Sequence, residues 1–269
     1  MGRYLALVPM ALALAACGGG GGGGLSLDPV ASAATKTAKS GGEHMTFRVH
    51  MTLADTSFAV IGSGDFDAAK RVGRTSLRFS GLPQLSGTGE EIIQGTIVYA
   101  RFPFLAGKLP GGKQWVKIDL GKEGRTVGVN LNALMQGSTT DPTQMLRYLE
   151  AASTGVQKIG PDTVAGAATT HYSAAVDFDK LVRVRPKEKR SIRRVEQLTG
   201  VHAVPVDVWI DGDGYVRKVK ESFTMHLPQG PSAIVVMTFQ LSDFGRHVTV
   251  TPPPAAEVLD VSSLSGTGG

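Results

Sequence analysis

The chain holds one cysteine, Cys17, among 269 residues. An intrachain disulfide is therefore excluded, and the fold must be held by its core. Aromatic residues are few, at 6%. No apolar run reaches the roughly 20 residues that cross a bilayer as a helix. No segment repeats at solenoid length. The formal charge of +5 is modest. That balance favours contact with anionic lipid headgroups, and nucleic acid is not expected as a partner of an exported chain.

Export is read from the first residues. Arg3 supplies a positive charge, and the apolar run from Tyr4 to Ala13 follows it. The run is too short to span and matches the core of a signal peptide. Leu14-Ala15-Ala16-Cys17 then resembles a bacterial lipobox, in which a peptidase cuts before a lipid-bearing cysteine. The alternative is a plain secretory signal with a chance cysteine. A lone thiol in an exported protein needs a reason, and acylation with palmitate-type chains supplies one. Two or more acyl chains anchor stably where one does not. Seven glycines, Gly18–Gly24, follow. Such a run cannot bury apolar surface and pays heavily for ordering. The expected organisation is a signal peptide over 1–16, an acylated cysteine and tether over 17–26, one domain over 27–250 and a flexible tail over 251–269. The expected location is the outer face of the cell membrane, held there by lipid.

Period-two alternation dominates the domain. Phe47, Val49, Met51 and Leu53 alternate with polar residues. Further strands are read at 58–64, 72–79, 93–99, 115–120, 163–176, 204–210, 215–227 and 232–244. Asp211-Gly212-Asp213-Gly214 marks a hairpin. Pro228-Gln229-Gly230-Pro231 marks another reversal. Asp28-Pro29 opens a helix with a capping Asp and Pro at its first position, running towards Ser40. Asn130–Met135 and Pro142–Ala152 read as helices, and so does Glu188–Thr199, ended by Gly200. Strands with inserted helices argue for an α+β fold built on one large antiparallel sheet.

Several segments in order carry a family likeness. They are the lipobox at Cys17, Lys113-Gln114-Trp115-Val116-Lys117-Ile118-Asp119-Leu120 and Asp141-Pro142-Thr143-Gln144-Met145-Leu146-Arg147-Tyr148-Leu149. Then come Gly155-Val156-Gln157-Lys158-Ile159-Gly160, Val164-Ala165-Gly166, Thr170-His171-Tyr172 and the stretch from Val204 to Gly214. Together they resemble the actinobacterial LppX/LprG-like lipoproteins, which share a fold with the LolA and LolB carriers. The resemblance implies a large curved antiparallel sheet, an unclosed β half-barrel, with helices covering its concave face. It implies a hydrophobic cavity for acyl chains of lipids or lipoglycans, no catalytic residues and no cofactor. Lys180 to Arg194 is unusually basic and has no counterpart in that likeness. It reads either as a solvated face or as a patch that meets headgroups at the cavity mouth.

The expected lining is Phe47, Val49, Met51, Leu53, Val60, Leu77, Phe79, Ile97, Val206, Val208, Phe223, Met237 and Phe239. Leu134, Met145 and Leu149 would close it from the helices. Every one of these is equally well explained as ordinary core. Burying one methylene is worth about 0.8 kcal/mol, so a long acyl chain has a large drive into a dry groove. Other chemistries find less support. The six histidines are dispersed, with no metal-binding helical spacing. Asp211 and Asp213 lack the later ligands of a calcium loop. Ser63 sits between glycines inside a strand pattern, not on a strand-to-helix elbow. The expected function is a monomeric, non-enzymatic carrier for envelope lipid transport, with a membrane transporter as a candidate partner. The alternative is a sensor or binding module of the same fold that acts through a protein partner.

Overall fold

A computed structural model describes residues 28–67, 69–119, 146, 148–150, 153–225 and 232–261. Helix α1 spans Pro29–Ala38. It is followed by β1 (Gly42–Leu53), β2 (Thr56–Asp67), β3 (Val72–Ser80), β4 (Gly87–Gln94), β5 (Ile97–Arg101) and β6 (Trp115–Asp119). The second half holds β7 (Ser153–Val164), β8 (Ala167–Asp177), α2 (Phe178–Val184), α3 (Lys189–Thr199), β9 (Ala203–Asp211), β10 (Val216–Met225), β11 (Ala233–Arg246) and β12 (Val258–Asp260).

All twelve strands form one sheet, in the order β12-β6-β5-β4-β3-β2-β1-β11-β10-β9-β8-β7. Two meanders, β1 to β6 and β7 to β11, are joined where β1 pairs antiparallel with β11. The edges do not meet, so this is the expected unclosed half-barrel. Strand pairs are antiparallel except the last, where β12 lies parallel to β6.

The helices cap as the sequence dictates. The Asp28 side chain accepts from the backbone N–H of Val30 at 2.9 Å and Ala31 at 3.2 Å. Gly200 ends α3 with φ at +69°, a conformation that glycine adopts without strain. Val30, Ala33 and Ala34 of α1 join Leu146, Leu149, Leu181 and Ile192 in one core with the inward residues of the sheet. The other strand face carries charge.

Four readings need correction. The single strand expected at 93–99 is a hairpin that reverses at Gly95, where φ is +65°. The strand expected at 163–176 is likewise two strands, β7 and β8, which turn at Ala165-Gly166. Helix α2 was not expected. The tail is not loose from 251 onward, because β12 returns to extend the sheet beside Trp115–Lys117. The signal segment, Cys17, the glycine tether, Leu134, Met145 and the helix expected at Asn130–Met135 lie outside the described residues.

Candidate functional site

The candidate site is the inward face of the sheet, and strand register assembles it. Phe47 pairs with Phe239, and Val49 pairs with Met237, across β1 and β11. Val49 pairs with Val60 on the other side, and Val60 with Phe79. Leu77 lies opposite Gly62. Val208 pairs with Val219, and Val206 with Glu221. Since side chains alternate between faces, these residues share the face that packs against the helices. Ile97 is the exception. Its neighbours Val98 and Ala100 are the buried, inward residues of β5, so Ile97 points to the other face. The register of a hairpin, not of one continuous strand, sets that phase.

Burial divides this face. At one end Met45, Phe47, Leu77, Val219 and Leu241 are fully buried. The Phe47 ring lies over Gly62, where an added Cβ would come within 2.1 Å of it. Helix α1 seals this end through Thr37, whose hydroxyl accepts from the Val216 N–H at 2.8 Å. Towards the other end Val49, Met51, Leu53, Phe58, Val60, Phe79 and Phe223 are only half-buried. Aromatic rings gather here. Phe79 meets Phe102 and Phe104 edge-on, with centroids 5.7 and 6.0 Å apart, and Phe58 stacks on it at 6.3 Å. Val208 and Phe239 lie buried in the row of Phe47 and Val219, and Val206 and Met237 stay buried in the row of Val49.

The sequence reading passed over the acids of the inward face. Glu221 lies between Val206 and Met237, 5% exposed. Burial pushes its carboxyl up to about 8, so the neutral acid prevails at physiological pH. The signal was present in the alternation, because Glu221 is in phase with Val219 and Phe223. Glu43 and Glu91 are also buried in the inward phase of their strands.

The outward face is built of polar ladders. His44 Nδ1 lies 2.7 Å from Asp65, and the Ser63 hydroxyl lies 3.2 Å from His44 Nε2. Arg246 reaches Asp65 at 3.3 Å, and Glu90 joins Arg74 and Arg101. All of these but Arg101 border an open cavity of about 600 Å³. The serine–histidine–aspartate order resembles a nucleophile relay. It lacks the other half of such a site. Ser63 is inside a strand paired on both sides, so the local N–H groups serve the ladders and cannot form an oxyanion hole. All three arginines are held by carboxylates. The relay ties strands together. Further along the same face, His171 stacks on Trp209 at 4.3 Å and meets Asp207 at 2.8 Å. The Trp209 indole donates to Asp162 at 2.7 Å. The Thr163 N–H and that indole hold the Asp162 carboxyl below its usual range. Asp211 accepts from the Tyr215 N–H at 2.9 Å, which fixes the turn that the Asp-Gly pairs announce.

No family model matches the chain. An uncharacterised protein of Streptomyces griseus is 30% identical over 166 residues, which are 59% of this chain and 52% of that protein. A protein of Streptomyces coelicolor named as a predicted lipoprotein is 26% identical over 212 residues, 77% of this chain and 59% of that one. The chain thus spans little more than half the length of the curated relatives it matches. Among solved structures, the lipoprotein LppX of Mycobacterium tuberculosis aligns over 83% of this chain and 100% of its own, with 14% identity and a TM-score of 0.47. LprF of Mycobacterium bovis aligns over 84% and 95%, with 14% identity and a TM-score of 0.43.

Proposed function

We propose that this protein, an LppX/LprG-like lipoprotein by its resemblance, is a non-enzymatic carrier of acyl lipids at the outer face of the cell membrane. Its own lipid on Cys17 anchors it there. The supporting observation is the half-open, aromatic- and methionine-bearing end of an otherwise sealed apolar face. Met51, Phe58, Val60, Phe79 and Phe223 remain partly accessible there. A half-buried apolar surface keeps an unsatisfied drive for contact, at about 25 cal/mol per Å². Methionine and aromatic side chains adapt to chains of varied length and branching. Glu221, held neutral beside Met237, puts no charge in the path of an acyl chain.

The ligand would be a lipid or lipoglycan, with its tails against the sheet and its headgroup outside. The test is native mass spectrometry of the full chain purified from an actinobacterial host. A bound acyl lipid is expected, removed by organic extraction and restored by added lipid. Lipid-free protein from that host, with no uptake on addition, overturns the carrier reading.

A further inference from the structure

The basic corner formed by α2 and α3 has no role in the inward face. Eight Lys or Arg and four Asp or Glu lie between positions 177 and 200. The four acids are already engaged. Asp177 caps α2 by accepting from the Lys180 N–H at 2.7 Å. Asp179 and Glu196 both hold Arg193, and that guanidinium keeps both carboxyls below their usual range. Glu188 accepts from the Tyr148 hydroxyl at 3.3 Å. Arg183, Lys189, Arg190 and Arg194 are exposed and form no ion pair among the described residues. Val184 stands among them with half its surface in water. An exposed aliphatic residue flanked in the chain by Arg183 and Arg185 fits an interfacial surface.

A hydrogen-bond chain fixes where this corner sits. Asp28, the first described residue, accepts from the Ser153 hydroxyl. The Ser153 carbonyl accepts from the Lys180 ammonium at 2.8 Å. The root of the N-terminal segment is therefore pinned to the start of α2. Only ten residues lie between Cys17 and Asp28, a reach of about 40 Å at full extension. Arg183 and Val184 lie one helical turn beyond Lys180.

We infer that the α2–α3 corner is a docking surface for an anionic lipid bilayer, with Arg183, Lys189, Arg190 and Arg194 on the headgroups and Val184 at the interface. The inference rests on the anchored reading only for its geometry. The corner's affinity for anionic lipid stands apart from acylation. Docking would orient the domain instead of leaving it to turn on its tether. Each basic residue at such a surface strengthens partition about fivefold at low salt, and salt weakens it.

The test uses the full chain carrying Cys17→Ala, so that no lipid anchors it. Co-sedimentation is measured with vesicles containing phosphatidylglycerol and with vesicles of phosphatidylcholine alone. A preference for the anionic vesicles is expected, weakened by salt. The triple variant Arg183→Glu/Arg190→Glu/Arg194→Glu should lower that partition more than tenfold. The neutral set Arg183→Gln/Arg190→Gln/Arg194→Gln should lie between. Arg48→Glu/Arg78→Glu/Lys108→Glu changes net charge equally, on exposed residues away from the corner, and should cost far less. Equal loss in both reversed triples, or no loss in the corner triple with its melting curve unchanged, overturns the inference. The mass of the N-terminal peptide from the wild-type chain reports acylation separately, so a missing anchor and an inert corner are read apart.

Discussion

The two ends of the inward face are made of the same kinds of residue and are buried to different extents. On β1, Met45 and Phe47 are 1% and 4% exposed, while Val49, Met51 and Leu53 farther along are half-buried. The same gradient runs along β2, β3 and β10. Alternation is equally regular at both ends, so hydrophobic pattern does not separate core from candidate site. Coverage does. Helix α1 and ring-over-glycine packing close one end, and the other keeps apolar area to spare. A core and a candidate site thus share strands and differ in what lies over them.

The largest expected effect breaks the closed end. Phe47→Ala removes a ring that packs on Gly62 and meets Phe239 at 6.0 Å. It should cost about 3–5 kcal/mol in a denaturant melt. Phe79→Ala, at the half-open end, should cost clearly less. Equal costs would show that the two ends are packed alike.

Glu221 sits at the boundary and gives a pH signature. Its carboxyl titrates near 8 in the folded protein against about 4.5 ordinarily. The folded state therefore binds the proton more tightly. Stability is full below the ordinary value, falls as pH rises, and levels off above about 8. The loss across that window should be about 5 kcal/mol. Glu221→Gln should flatten this part of the profile and leave the acid side little changed. A wild-type melt that is flat between pH 5 and 8, on the order of the window set by these values, would place Glu221 in contact with water. The closed end would then stop short of it.

The seal over the closed end is also testable. Asp28 caps α1 and holds Ser153. Asp28→Ala should cost about 1 kcal/mol. It should also raise hydrogen exchange at the Val30 and Ala31 amides while sparing β2 and β3.

Much of this arrangement was legible in the sequence. The period of two gave the strands, Asp28-Pro29 gave the start of α1, and Gly200 gave the end of α3. Where reading failed, the missing information was local. A two-residue hairpin loop of this kind needs positive φ at both central residues, which favours Asn-Gly or Asp-Gly. The turn between β7 and β8 uses Ala165 at +48° and Gly166 at +83°, and alanine hides it. That is why 163–176 reads as one strand. Ile97 was assigned to the wrong face because the two-residue turn at Gly95-Thr96, which shifts the phase of β5, was read as strand. Helix α2 is only seven residues long, too short for a helical period to show, and the cap signal of Asp177 was passed over. Burial is a different matter. Which half of an apolar face stays partly open depends on distant segments, so Val49 and Phe47 look alike in sequence.

The smallest expected stability effect is the most informative. Overpacking a filled core costs about 1–3 kcal/mol or more. Val208, fully buried at 0% exposure, should pay that cost when replaced by tryptophan. Val49, half-buried between Val60 and Met237, has somewhere to put the larger ring. Val49→Trp should lower stability by less than about 1 kcal/mol while reducing bound acyl lipid severalfold in native mass spectra. The two readouts must move apart, since a site is a place where volume can be added without unfolding the protein but not without displacing a ligand. A Val49→Trp variant that melts as badly as Val208→Trp would make this end core like the other. One that keeps both its stability and its lipid would put the acyl chains elsewhere.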